Sequence, residues 1–475
     1  MLQIGMQDRT TITSLSHDEL IELVLTLIQQ NARLQEENAA LRQEIDDLKR
    51  RGKRQAAPFS KGEKKANPQP PGRKPGDGPF TRRAAPDPST YSQPAVDVPV
   101  TETACPHCKG ALVADGEEVV TRTDIAPPPP PVVRAWRVEF CRCADCGRRV
   151  RGRHPDVAAD QTGATAHRLG PRLMAAAAVL HYGTGVPVRK LPGIFREFCG
   201  IEVTQSALSQ DALRRATGAI DTAYEHLRGE IIRRDHLHTD DTGWSINGTK
   251  AWLMVFTSDT ETIYQVRRRH GNAEVREMIA ETYRGVVHTD RFKSYDAKEL
   301  DAVAQQKCLA HVQKNLSQLI DAQNGRARDL PRALKDHFAA CIVLWHERTT
   351  TRNYARRAAE LQRQADWLLR DRQLSNPAND RMVNELGWHN DRGNLLRFLH
   401  EPERAEPTNN EAERALRPAV IARKVSHCSK TDGGADTHAK FTSVIATLVK
   451  RGARSIVEAV SAVFSTGTIP ASCAD

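Results

Sequence analysis

Leucine returns at every seventh position from Leu20 through Leu27, Leu34 and Leu41 to Leu48, with Val24, Asn31, Asn38 and Ile45 interleaved. A seven-residue step keeps one helical stripe apolar, and this pattern predicts a coiled-coil seam with leucine at d and a mixed a position over residues 1–50. Asparagine at a costs stability but fixes register and favours a parallel dimer. Beyond the seam the apolar pattern stops. RRGKRQAAPFSKGEKKANPQPPGRKPGDGPFTRR has almost no large apolar residues, which predicts a disordered basic linker over 51–100.

Helical spacing resumes over 160–230. One helix is expected to end near Phe198 at the Cys199-Gly200 turn, and a second to start with Thr204 as N-cap. The pair resembles a helix-turn-helix, with Ser206, Arg214 and Arg215 on the helix that would meet a DNA groove. From 231 the period shortens. HLHTDDTGWSI, TKAWLMVFTS and ETIYQVRRRH read as strands, separated by Asn247-Gly248 and Ser258-Asp259; NAEVREMIAETY reads as a helix and RGVVHTDRF as a fourth strand. The order β-β-β-α-β predicts a ribonuclease-H-like sheet whose first and fourth strands adjoin. It puts Asp240 and Asp290 at the ends of those two strands, on one edge. Residues 321–400 read as a charged helical insertion whose Trp345, Trp367 and Trp388 are expected in its core. Residues 401–460 then return to the sheet and 461–475 form a tail. The expected class is multidomain α+β.

Composition sharpens this. The 475 residues carry a net charge of +10 and 39% hydrophobic residues, which favours a polyanionic partner, nucleic acid first. No apolar run approaches the roughly 18 residues of a membrane span. The opening MLQIGMQDRT lacks a signal-peptide layout, so a cytoplasmic protein with no membrane partner is expected, its ten cysteines thiols or metal ligands. Cys105-Pro-His-Cys108 and Cys143-Ala-Asp-Cys146 form two CxxC pairs. Together they can give structural Zn²⁺ four thiolates within 101–155, with His107 and Cys141 as spare ligands. Cys308 and His311 offer half of another metal site without an evident second half, so a packed helix with a buried cysteine is expected there. Asp240 and Asp290 suit a hard divalent ion such as Mg²⁺, and paired metals serve phosphoryl transfer. A third acid is expected from a later helix.

PTNNEAERALRP, residues 407–418, offers Glu411 and Glu413. Thr408-Asn-Asn-Glu411 fits a capping box. Glu413 shares a helical face with Asn409, Asn410 and Arg417, near the positive helix end.

HTDDTGW around Asp240, HTDRFKSYD around Asp290, CLAHVQKNL and NNEAERALRP followed by Ala422-Arg-Lys424 resemble transposases of the family named for insertion sequence 66, over nearly the whole chain. The resemblance implies an Asp-Asp-Glu triad, here Asp240, Asp290 and Glu413, holding Mg²⁺ or Mn²⁺. It implies an enzyme that cuts and rejoins double-stranded DNA at the ends of its own mobile element, near the bacterial nucleoid, as a dimer or larger and helped by other proteins of the element. Arg414, Arg417, Arg423 and Lys424 become phosphate contacts. Where the family has Glu-Thr after the first Asp, this chain has Asp241-Thr242; Arg291-Phe292 follows the second. The rival reading is an inactive DNA-binding regulator derived from such an enzyme.

Overall fold

The computed structural model describes residues 16–53, 84–163, 166–426 and 428–470. Most of the predicted basic linker, 54–83, lies outside them. The chain falls into two units, Met1–Arg122 and Thr123–Asp475.

In the first unit, His17–Lys53 is one uninterrupted helix, α1. Its start is a reciprocal cap: Ser16 N donates to Glu19 Oε2 (2.8 Å) and Glu19 N donates to Ser16 Oγ (3.4 Å). Val24, Leu27 and Leu34 are exposed on it. The other described residues of this unit are irregular, apart from a short turn at Pro88–Thr90 and the tight turn at Cys105–Gly110.

The second unit opens with a small hairpin, β1 (Phe140–Arg142) and β2 (Arg149–Arg151). The expected strand-like run VVRAWRVEF is extended without pairing until Phe140. Four helices follow: α2 (Pro171–Ala178), α3 (Leu191–Cys199), α4 (Gln205–Ala216) and α5 (Ala219–Ile231). The turn between α3 and α4 has the expected chemistry. Gly200 closes α3 at φ 63°, a left-handed conformation that suits glycine. Thr204 Oγ1 accepts Ala207 N (3.2 Å) to start α4.

The sheet comprises β3 (His236–Ile246), β4 (Thr249–Thr257), β5 (Thr262–Arg267), β6 (Val286–Thr289) and β7 (Gln305–Lys307), in the order β5-β4-β3-β6-β7. β3, β4 and β5 are antiparallel neighbours; β6 and β7 join parallel. The first and fourth strands of the predicted set thus adjoin. Asp240 lies in the middle of β3 rather than at its end, while Asp290 directly follows β6. The predicted helix after β5 shortens to α6 (Asn272–Arg276). Asn247 and Gly248 both take positive φ (51° and 76°), as a two-residue hairpin requires.

Between β7 and the last helices stands a helical portion: α7 (Leu309–Ala322), α8 (Asp329–His346), α9 (Tyr354–Leu368), α10 (Pro377–Asp391) and α11 (Arg397–His400). It has its own core, centred on Leu334, Phe338, Leu386 and Phe398. Trp345 and Trp388 are partly buried, but Trp367 is 62% exposed with Arg370 over its ring (4.3 Å). That corrects the expectation of three core tryptophans. The chain then returns as α12 (Asn410–Ser426), α13 (Asp432–Lys450) and α14 (Ile456–Thr466).

α13 explains how the antiparallel edge avoids exposing free backbone groups. Ser443 Oγ accepts Tyr264 N (2.8 Å), and Thr447 Oγ1 accepts Thr262 N (3.1 Å) while donating to Thr262 O (3.2 Å). Hydroxyls at i and i+4 replace the missing strand. One sheet face packs Leu237, Met254 and Phe256 against α5, α13 and α14; the other packs Trp244, Leu253 and Val255 against Ala412, Leu416 and Ala419 of α12. Among the described residues no helix is long and apolar enough to cross a membrane.

Candidate active site

Side chains alternate along β3, so Asp240 shares the face of Trp244 and Ile246, which α12 covers. Asp241 points to the other face, where its Oδ1 lies 3.3 Å from His270 Nε2. His238 lies opposite His288 in the β3–β6 register. Continuing that register sets Asp240 level with Asp290, each two residues further on. Glu413 enters from the first turn of α12, its N–H donating to Asn409 O (3.2 Å).

The three acids feel one another. Burial, then the charges of Asp290 and Glu413, push the Asp240 carboxyl up to about 6, against a hydrogen bond from Asp241 N (2.9 Å). Burial, then Asp240 and Asp290, push Asp241 up to about 7. Negative charge is therefore crowded into a partly dry site, offset at Asp240 by His311.

These shifts set a pH dependence. A carboxyl raised in the folded state stabilises it most below the unfolded pKa and loses that advantage as pH rises through the folded value. In buffer free of divalent ions, the melting temperature is expected to rise as pH falls from about 7 towards 4. Mg²⁺ should raise it more at pH 7.5 than at pH 5. Equal Mg²⁺ effects at the two pH values, by differential scanning fluorimetry, would contradict a carboxylate site for the ion.

Asn409 is fully buried and fixes where α12 begins. Its Nδ2 donates to Thr239 O (2.7 Å), its Oδ1 lies 3.2 Å from His238 Nδ1, and its N–H points at Cys308 Sγ (3.2 Å). It joins β3, beside Asp240, to the helix that carries Glu413. Asn409→Ala orphans Thr239 O and lets that helix start shift. A loss of about 1–3 kcal/mol is expected in urea unfolding.

Glu411 does not close the expected capping box. Its Oε1 pairs with Lys450 Nζ (2.6 Å), which also donates to Thr257 Oγ1 (2.6 Å). A partly buried full charge outcompetes the neutral amide of Thr408. Glu411 thereby ties α12 to the end of α13, and Glu413 alone of the two acids joins Asp240.

The expected phosphate contacts divide. Arg414, Arg417 and Lys424 are exposed along α12. Arg423 turns inward and donates to Thr242 Oγ1 (3.1 Å) and to Gly243 O on β3. On α4, Ser206 and Arg214 are exposed, Arg214 Nη2 donating to Asp211 Oδ1 (2.6 Å), whereas Arg215 is bound to Asp211 Oδ2 (2.6 Å) and stacks over Phe464 (3.9 Å). Arg423 and Arg215, expected as DNA contacts, are engaged within the fold in this way. Arg291, after Asp290, pairs with Glu385 of the helical portion (2.8 Å), and Phe292 stacks on His270 (4.5 Å).

Two residues flagged without a partner find one. Cys308 caps α7 and is buried; His311 lies one turn on, with Nε2 3.9 Å from Glu413 Oε1. The missing partner was 102 residues downstream. Buried Lys307 holds the loop after Asp290 through Thr289 Oγ1 (3.1 Å) and Asp296 Oδ1 (2.7 Å).

The CxxC pairs, one in each unit, form the same turn. Cys105 N donates to Gly110 O (2.9 Å) and Lys109 N to Cys105 O (2.9 Å); Cys143 N donates to Arg148 O (2.8 Å) and Gly147 N to Cys143 O (3.0 Å). Lys109 and Gly147 both take positive φ (63° and 69°). Backbone N–H groups of Cys108 and His107 favour the Cys105 thiolate, and those of Cys146 and Asp145 favour the Cys143 thiolate.

Residues 167–437, more than half of the chain, match the family described as Transposase IS66 family. A relative named uncharacterized protein y4hP, from Sinorhizobium fredii (strain NBRC 101917 / NGR234), is 23% identical over 411 residues, covering 77% of this chain and 70% of the relative. The family match takes in β3, the Asp290 loop, the helical portion and α12, so that all three converging acids fall inside it, and the chain belongs to the IS66 transposase family.

Proposed function

We propose that this protein binds the ends of its own mobile DNA element, cuts them and joins them to target DNA. The observation that carries the reading is the convergence of Asp240, Asp290 and Glu413 from a strand, a strand end and a helix start. The sheet order supports a ribonuclease-H-like core, and family membership implies a DNA partner. The donors fit Mg²⁺ or Mn²⁺: all are hard oxygens, and burial together with the charges of Asp290 and Glu413 disfavours an ionised Asp240, which a bound cation would relieve. Bound there, the ion would neutralise that charge and polarise phosphate oxygens.

The chain's own residues position the rest. Arg414, Arg417 and Lys424 follow Glu413 along α12 and are free to pair with phosphates beside the cut. Ser206 and Arg214 on α4 are the contacts proposed for end recognition. The apolar stripe left bare on α1 serves as a homodimer seam, which brings two ends together. The turn of Cys105 and Cys108, and separately that of Cys143 and Cys146, favours thiolate, the form in which each pair would offer ligands to structural Zn²⁺. Cleavage by water at an end phosphate breaks the P–O3′ bond and frees a 3′-hydroxyl. That hydroxyl then displaces an O3′ of the target strand, with no covalent enzyme intermediate.

The test is direct. Purified protein with labelled duplex carrying the element end and Mg²⁺ should release a 3′-hydroxyl end and, with plasmid present, join it. End binding without cleavage in either Mg²⁺ or Mn²⁺ would refute the enzyme and favour a DNA-binding regulator.

A further inference from the structure

Cys308, His311 and Glu413 each offer one ligand atom, and the three atoms lie within 4.8 Å of one another. We propose that these residues form a second transition-metal site, with Zn²⁺ as its ion, and that zinc there switches the enzyme off by taking Glu413 from the Mg²⁺ site. The binding half stands on this cluster alone. The inhibitory half rests on the function proposed above.

Three observations support the site. First, its donors are sulfur, nitrogen and oxygen, a set that suits borderline-soft Zn²⁺ and not Mg²⁺. Second, the cluster is built from two rigid elements. Cys308 and His311 stand one helical turn apart at the start of α7, and Glu413 stands in the first turn of α12. Asn409 N points at Cys308 Sγ (3.2 Å), a contact that fixes the sulfur and locks the two elements together. Third, the packing leaves metal-ready groups. His311 Nδ1 is shielded from solvent yet makes no hydrogen bond among the described residues, while Nε2 lies 3.9 Å from Glu413 Oε1. Two ligands on a tetrahedral ion with bonds of about 2.0–2.1 Å stand about 3.4 Å apart, so only a small rotation closes the gap. Cys308 is buried, whereas the His311 and Glu413 side chains are 40% and 39% exposed. A fourth position therefore opens to water.

Zinc held beside Cys308 and His311 draws the Glu413 carboxylate towards that pair and away from Asp240 and Asp290. Zinc then competes with Mg²⁺ even when Mg²⁺ is in large excess, because only zinc gains a thiolate and an imidazole.

The experiment measures zinc uptake by the full chain, with a chromophoric chelator as competitor, in wild type, Cys308→Ser and His311→Ala. Wild type should hold one Zn²⁺ equivalent more than either variant. With Co²⁺ as probe, the wild-type minus Cys308→Ser difference spectrum should show a sulfur-to-cobalt charge-transfer band. Using two variants on different residues, each checked for wild-type circular dichroism, separates ligand loss from misfolding. In Mg²⁺-dependent end cleavage, zinc should inhibit wild type, and the inhibition constant should rise in Cys308→Ser by more than the roughly 10–100-fold that outer partners of a metal give. Equal zinc stoichiometry in all three proteins overturns the site. An extra equivalent that leaves Mg²⁺-dependent cleavage unchanged overturns the switch. An extra equivalent in a protein that never cleaves supports the site and sinks the transposase reaction instead.

Discussion

Asp240→Asn is expected to reduce end cleavage by on the order of 10²–10³-fold or more, the scale lost when one preorganised electrostatic partner is removed, while end binding stays within about twofold. The substitution is nearly isosteric. The new amide oxygen can still accept Asp241 N, as Asp240 Oδ1 does at 2.9 Å. It removes a charge that Asp290 and Glu413 oppose, so the variant should melt at or above the wild-type temperature in metal-free buffer, and the Mg²⁺-induced rise should shrink. Stability up and activity lost is a combination that misfolding does not produce. Asp241→Asn is the control. It removes a neighbouring acid from the opposite face, beside His270, and should lose far less cleavage. Should Asp240→Asn cut element ends within tenfold of wild type, or Asp241→Asn fall further than it, the ligand assignment fails.

The placement of neighbouring acids on opposite faces was legible in the sequence because it rests on local periodicity. Strand alternation separates Asp240 from Asp241, and helical spacing separates Glu413 from Glu411. The partners were not legible wherever a distant element supplies them. Glu411 meets Lys450 and not the amide three residues back. Arg423 and Arg215 read as surface charge because Gly243 and Phe464 lie 180 and 249 positions away. Asn409 was seen only as part of a helical face, yet its three contacts come from Thr239, His238 and Cys308. β7 has three residues, too few for a period of two to register. The heptad leucines show the opposite case. Their stripe was plain in sequence, and Leu27 and Leu34 remain exposed in the single chain, as a seam awaiting a second copy would be.

The largest stability effect is expected where the sequence drew no attention, at Glu261 in the β4–β5 turn. Glu261 is fully buried, and its carboxylate accepts Arg451 Nη2 (2.8 Å), Arg234 Nε (2.8 Å), Ser258 Oγ (2.7 Å) and Thr260 Oγ1 (2.8 Å). Arg451 is itself buried, its side chain 2% exposed, and also reaches Glu230 Oε2 (2.7 Å) and Pro470 O (2.8 Å). One carboxylate thus joins the segment leading into β3, the β4–β5 turn and the end of α13. Glu261→Ala leaves the Arg451 charge buried without its main partner, a change that costs about 3–5 kcal/mol and should lower the melting temperature by roughly 10 °C. Adding Arg451→Met should return part of that loss, because the stranded charge goes with it. Burial alone would raise the Glu261 pKa, but the pairs with Arg234, Ser258, Arg451 and Thr260 bring it down to about 2. A depressed carboxyl stabilises above its ordinary value of 4.5 and loses that contribution as pH falls towards 2. The gap between wild type and Glu261→Ala should therefore be full at pH 6–7 and narrow steadily below about pH 4.5. A variant that melts within about 2 °C of wild type at neutral pH, or a gap that widens in acid, would show that the cluster does not hold these three elements together.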